Sequence, residues 1–191
     1  MNNLLKKSIK KYQQGQNLLY QAQKFSNQIR AGSKKAIALL RRDNIRESQK
    51  AIKEVERDFG LLNELVKKNS DLLNRGFYRE AVEEYIEALT FYNFLTKSHK
   101  QIPDFVKADP EEIIGGLCDF TGELVRKAIT IAHSKHSQEI LLYKKAIEDI
   151  VEELTKIALL GKLRHKYDET ERNLKRIENI LYEIKLKNKG R

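Results

Sequence analysis

Apolar residues recur along this chain at intervals of three and four, and no segment shows the two-residue alternation of a half-buried strand. Leu18, Ala22, Phe25 and Ile29 step 4-3-4, and Ile37 and Leu40 carry the stripe past Gly32, which predicts one long helix over about residues 3–42. Ile52, Val55, Phe59, Leu62 and Val66 predict a second helix over about 45–68. Asn69-Ser70-Asp71 and Asn74-Arg75-Gly76 punctuate the next connection, with space for a short helical turn. A third helix is expected over 78–98, followed by a loop at 99–111 that holds both prolines. Asp109-Pro110-Glu111-Glu112 has the form of a helix start, with proline at the first helical position. The fourth helix then runs to about 133, the fifth spans 137–160, and the sixth spans 163–186 after a stop at Gly161. Residues 185–191 read as a frayed basic tail. The expected fold is all-α: one domain over residues 1–191, built as a bundle of six or seven helices.

Composition supports that reading. The chain has 191 residues, 40% hydrophobic and 34% charged, with two prolines and no tryptophan, a profile that suits a helical protein. No apolar run approaches the roughly 20 residues that span a bilayer. Met1 is followed by a polar, Lys-rich helix rather than a signal peptide, so a cytoplasmic protein without a membrane partner is expected. The one cysteine, Cys118, has no internal disulfide partner and reads as a small core residue.

Charge is distributed unevenly. Residues 1–42 carry Lys6, Lys7, Lys10, Lys11, Lys24, Arg30, Lys34, Lys35, Arg41 and Arg42, and no Asp or Glu. The remaining 27 basic residues equal the 27 acidic ones, so the net charge of +10 belongs to the first helix. A cationic element on a neutral body suits a polyanion such as nucleic acid, although a solvated helix has the same composition.

The chemistry of interest is acidic. From Ile113 to Val125 the only charged residues are Asp119 and Glu123, four apart and therefore on one helical face, in a run of apolar and small residues. Glu84 and Glu87, three apart, sit in the equally apolar stretch from Val82 to Leu95. A buried unpaired carboxylate costs several kcal/mol, so such pairs need protonation, a basic partner or a metal cation. Two pairs on two helices supply the all-oxygen ligands that Mg²⁺ or Mn²⁺ prefers. The competing reading is a set of ion pairs across the core, and only Arg126 and Lys127 lie close by in sequence. Gly115, Gly116 and Gly122 each cost about 1 kcal/mol in a helix and read as sites where a neighbour approaches closely. If that neighbour is the third helix, the two acidic pairs face each other.

Other chemistries are disfavoured. A di-iron bundle needs Glu-x-x-His motifs, yet Thr96, Thr130, His133 and Lys162 stand three before the four histidines. His133 and His136 read as surface residues at a helix end. No phosphate-cradling glycine loop, zinc spacing or serine elbow occurs.

Several of these segments resemble one family. Gly116-Leu-Cys-Asp-Phe-Thr-Gly-Glu-Leu-Val-Arg126 resembles the G-x-x-D-L-T-G-E-L-x-R signature of the translin family, on its Trax side. Glu84-Tyr-Ile-Glu-Ala88 with Thr90-Phe91 resembles that family's E-Y-x-E-A helix. Ser33-Lys-Lys-Ala-Ile-Ala-Leu-Leu40 and Leu163-Arg-His-Lys-Tyr-Asp168 are further matches, so the resemblance covers nearly the whole chain in order. The departures are Phe120 in place of leucine and a short loop from His99 to Pro110.

The resemblance implies a hollow octameric shell, formed by this chain alone or with a translin-type paralogue subunit. It implies cleavage of single-stranded RNA inside the shell by acidic residues with Mg²⁺. Glu84, Glu87, Asp119 and Glu123 fall on the family's catalytic, metal-holding acids. Lys34, Lys35, Arg41, Arg42 and Arg126 are the candidates for holding the strand. The alternative is a non-catalytic binder of single-stranded DNA or RNA, of the translin type. Independently of the family, the third and fourth helices look apolar around much of their circumference, more than a small bundle buries, which also predicts an oligomer.

Overall fold

A computed structural model of the chain describes residues 2–132 and 137–189; His133 and His136 lie outside the described residues. Among the described residues the chain forms six α-helices and one short 3₁₀ turn, with no strand. The helices are α1 (Asn2–Arg41), α2 (Ile45–Val66), α3 (Gly76–Thr96), α4 (Pro110–Ile131), α5 (Ser137–Thr155) and α6 (Gly161–Lys189), and the 3₁₀ turn (Ser70–Asn74) joins α2 to α3. Among the described residues no helix is long and apolar enough to cross a membrane.

α3 is the central element. It packs on α1 and α2 on one side and on α4 on the other, and α6 and α5 complete the far side of α4. Its apolar residues therefore bury on nearly every face, with Tyr85, Ala88 and Phe91 fully inaccessible. That corrects the argument for oligomerisation from α3 and α4. Their own neighbours consume the wide apolar surface, and among the described residues Ile129 is the one exposed large hydrophobic side chain of α4. Exposed apolar residues lie instead at the start of α1 (Leu4, Leu5, Ile9, Tyr12) and on α5 and beyond it (Leu141, Leu142, Ile157, Leu160).

Small residues set the helix spacings. α1 buries Ala22, Ser26, Ile29, Ser33 and Ala36, and a Cβ at Gly32 would lie 2.6 Å from Val55 of α2. A Cβ at Gly116 would lie 2.7 Å from the Glu83 carbonyl and from Ile86, so α4 approaches α3 as closely as its backbone allows. The expectation for these glycines holds at 115 and 116. Gly122 instead faces α6, 3.6 Å from Asn173 and with room to spare.

α4 starts at Pro110 as the sequence predicts, with the Asp109 N–H donating to the Glu112 carboxylate at 2.9 Å. The end of α5 differs from expectation. The helix stops at Thr155, where the Lys156 and Ile157 N–H groups turn to the carbonyls three residues back. Ile157 and Leu160 are exposed, so no core rewards further helix, and Gly161, at φ +53°, belongs to the start of α6. The expected frayed tail is helix to Lys189. Ile180 and Ile184 still pack on the core, and neither glycine nor proline interrupts the helix-forming run before Gly190.

Candidate functional site

The helix order brings α1, α3, α4 and α6 around one cavity of about 660 Å³. Each helix contributes by its period. α3 presents Glu84 and Glu87, one turn apart; α4 presents Asp119, Glu123 and Arg126; α1 presents Lys34 and Arg41. α6 adds Lys166, Glu169, Asn173 and Arg176, a polar stripe stepping 3-4-3. All four acids selected from the sequence therefore line one cavity. Of the five basic candidates, Lys34, Arg41 and Arg126 join them, while Lys35 and Arg42 are exposed and lie outside its wall.

The acids meet cations on both flanks. The Lys34 ammonium stands 3.6 Å from Glu84, Arg41 3.3 Å from one Glu123 oxygen, and Arg126 3.4 Å from the other. Lys166 donates to Asp119 at 2.5 Å and to Glu83 at 2.8 Å, and Lys162 reaches the second Glu83 oxygen at 2.8 Å. The Arg41 contact is a charge contact only: the Glu123 Oε2 atom is buried and accepts no hydrogen bond among the described residues. Glu87 has neither a hydrogen bond nor an ion pair among them, although only 9% of it is exposed. The ion-pair reading thus describes three of the acids and fails at the fourth.

Titration follows from this environment. Burial, then the charges of Asp119, Glu123 and Glu84, push the Glu87 carboxyl up to about 8 against the pull of Lys166. Burial likewise raises Glu84, Asp119 and Glu123, each opposed by its own cations. Burial alone would lower the Lys166 ammonium, but its hydrogen bonds to Asp119 and Glu83 more than reverse that, so it stays charged.

These groups fit a hard divalent cation in their chemistry: carboxylates from two helices on one cavity, one buried oxygen without a donor, and one carboxyl forced towards its neutral form. As placed, no three acidic, histidine or cysteine side chains among the described residues stand close enough to enclose one ion. A bound cation would draw carboxylates away from the lysine and arginine side chains that hold them.

Sequence reasoning missed Glu83, Lys162, Lys166, Asn173 and Arg176. Glu83 stands beside Glu84, and its role depends on which side of α3 the lysines of α6 approach. A signal for α6 does exist, as polar residues at helical spacing, including Thr170 and Asn173, both buried. Thr121 accepts from the Asn173 amide at 3.0 Å, and Asn173 in turn accepts from Arg176 at 3.2 Å, which holds α6 and its arginine against α4. Lys127, though close to the acids in sequence, points elsewhere: it donates to Asp43 at 2.6 Å and to the Arg41 carbonyl at 3.3 Å.

Comparison with known proteins agrees with the fold. Residues 21–188 match the translin family. No curated protein matches the chain in sequence. Among solved structures, apo-NeC3PO is similar at a TM-score of 0.83 and 20% identity, covering 94% of this chain and 96% of that one. AfC3PO in a complex with duplex RNA is similar at 0.80 and 21% identity, covering 95% and 96%. A further crystal structure of AfC3PO gives 0.80 and 24%, covering 95% and 97%.

Proposed function

The chain belongs to the translin family, and from that premise we propose that it is a divalent-metal-dependent endoribonuclease acting on single-stranded RNA in this cavity. The observation that carries the reading is the convergence of Glu84, Glu87, Asp119 and Glu123 on one cavity, with Glu87 buried and unpaired among the described residues. A protein that only binds polyanions gains nothing from buried negative charge. The RNA complex of a similar protein, AfC3PO, supports RNA as the ligand class.

Glu87, Asp119, Glu123 and Glu84 would hold Mg²⁺ or Mn²⁺. When bound, the ion supplies activation of water and neutralises charge that develops on the phosphate. The remaining work is done by the chain's own cations. Arg41 and Arg126 are partly exposed and bind Glu123 through long contacts, so an entering phosphate displaces a carboxylate from them at little cost. Lys34 does the same at Glu84. A cavity of about 660 Å³ is the size of a small-molecule site, so it takes a short stretch of a strand at a time.

Assembly into an octameric shell, alone or with a translin-type subunit, belongs to the same proposal. The exposed apolar residues of α1 and α5 support it. Light scattering should give several chains per particle; a mass of one chain at micromolar concentration would refute that part.

The activity test is incubation of labelled single-stranded and duplex RNA with Mg²⁺ or with EDTA. Cleavage of single strands in Mg²⁺ alone is expected. Cleavage undiminished in EDTA would end the metal mechanism, and binding without cleavage would assign the chain to the non-catalytic reading, DNA included.

A further inference from the structure

The segment from Leu163 to Asp168 opens α6, and within it Lys166 occupies an unusual position. It is 15% exposed and makes two short ion pairs that face different ways. One, to Asp119, lies on the cavity wall. The other, to Glu83, lies outside that wall: Glu83 and Lys162 line a separate small pocket, nearer the N-terminal ends of α3, α4 and α6. This second anchor exists because α4 has no side chain at Gly115. A Cβ there would lie 2.5 Å from Glu83 Oε2, on the oxygen that Lys162 holds. Glu83 is thus fixed by two lysines in a space that glycine leaves open. Lys166 is tethered to it whether or not it also holds Asp119.

We propose that Lys166 is the built-in counter-ion of the cavity: a divalent cation must displace it from Asp119, and, kept at the wall by Glu83, it then faces the phosphate chain. This rests on the metal-dependent reading of the same four acids. In the metal-free chain an ammonium sits on one of the carboxylates a cation needs, so cation and lysine compete for Asp119. Glu83 decides how strongly they compete. With Glu83 charged, Lys166 has a second partner to fall back on. With that charge removed, Asp119 becomes its only carboxylate and the competition becomes harder for the metal. A purely structural lysine makes no such prediction, because both substitutions would then simply loosen the site.

The test is Mn²⁺ binding to the full chain in the absence of RNA, followed by calorimetry or by the loss of the free-ion electron paramagnetic signal. Lys166→Met should bind Mn²⁺ roughly tenfold or more tightly than the unaltered chain, since a competing half-buried charge pair is worth at least that factor. Glu83→Gln should shift affinity the opposite way, to weaker binding. Lys166→Arg keeps the charge and should stay near the unaltered chain. In saturating Mn²⁺, on a non-cleavable single strand, Lys166→Met should bind more weakly, with a shallower dependence on salt. Equal Mn²⁺ affinity in the unaltered chain and Lys166→Met, each with a cooperative melt, overturns the counter-ion role and leaves the metal reading standing. A shift of affinity in one direction by both Glu83→Gln and Lys166→Met overturns it equally. No Mn²⁺ binding to any of them overturns the metal reading and this inference together.

Discussion

Lys127 and Glu87 are both ionisable groups taken out of water, on adjacent helices, and the chain treats them in opposite ways. Lys127 is 1% exposed and fully provided for: its ammonium donates to the Asp43 carboxylate and to the last carbonyl of α1, where the negative end of the helix dipole favours a cation. Glu87 is 9% exposed and has, among the described residues, no hydrogen bond, no ion pair and three carboxylates for company. A buried charge with its partners built in belongs to the architecture, because removing it leaves something unmet. A buried charge without them is a standing cost that a missing ligand is expected to relieve. The first is a fastener and the second a socket.

Substitutions test that contrast. The largest effect is expected at Glu123→Ala, which should lower cleavage by about a thousandfold or more while RNA binding in EDTA stays within roughly threefold. Its stability in EDTA should change by less than about 1 kcal/mol. Arg41 and Arg126 are 36% and 64% exposed, so neither is stranded in the core, and exposed pairs contribute little. A melt that collapses in EDTA would make Glu123 a structural residue.

Glu87→Gln comes next. The Glu87 carboxyl is held at about 8 in the folded chain against 4.5 for the free group. The stability it contributes as a neutral acid is therefore fully present below 4.5 and lost as pH rises to about 8. The metal-free chain should melt higher as pH falls from 8 towards 6. The Gln variant should flatten that slope and gain up to about 4 kcal/mol at pH 8. Loss of stability in Glu87→Gln would break the comparison from its other side.

Lys127→Ala should cost about 3 kcal/mol in urea unfolding, from the cavity and from the lost bonds to Asp43 and the end of α1, and equally so with Mg²⁺ or EDTA. Metal dependence of that loss would mean the fastener is part of the socket. The smallest effect is expected for Lys35→Ala and Arg42→Ala. They lie outside the cavity wall, so each should reduce RNA affinity by no more than about threefold and leave cleavage of bound RNA unchanged.

The legible parts of the sequence are those encoded locally. Helical spacing locates six helices, and a proline at the start of α4 and a glycine at the start of α6 mark their entries. The four acids stand out because carboxylates on apolar faces conflict with burial, a conflict readable over one turn of helix. What cannot be read depends on pairing between distant segments. Lys166 meets Asp119 from 47 residues away, and nothing near either residue announces it. Glu83 escapes notice beside Glu84 because which of two neighbouring acids enters a cavity depends on the rotation of α3. Lys35 and Arg42 look equivalent to Lys34 and Arg41 for the same reason, since adjacent residues on a helix point about 100° apart. The early end of α5 depends on whether Ile157 and Leu160 find a partner, and both are exposed.

The first helix is one element by shape and two by thermodynamics. From Ala22 onward it is buried against α2 and α3, whereas residues 2–17 are exposed on every side. A helical stretch of that length with no packing is marginal in water. In the unassembled chain, backbone amides there should exchange with deuterium almost as fast as in a free peptide, while those around Ile29 and Ala36 should wait for global unfolding. The boundary between the two regimes should fall near Leu18 and Leu19, the first residues of the helix to meet the core.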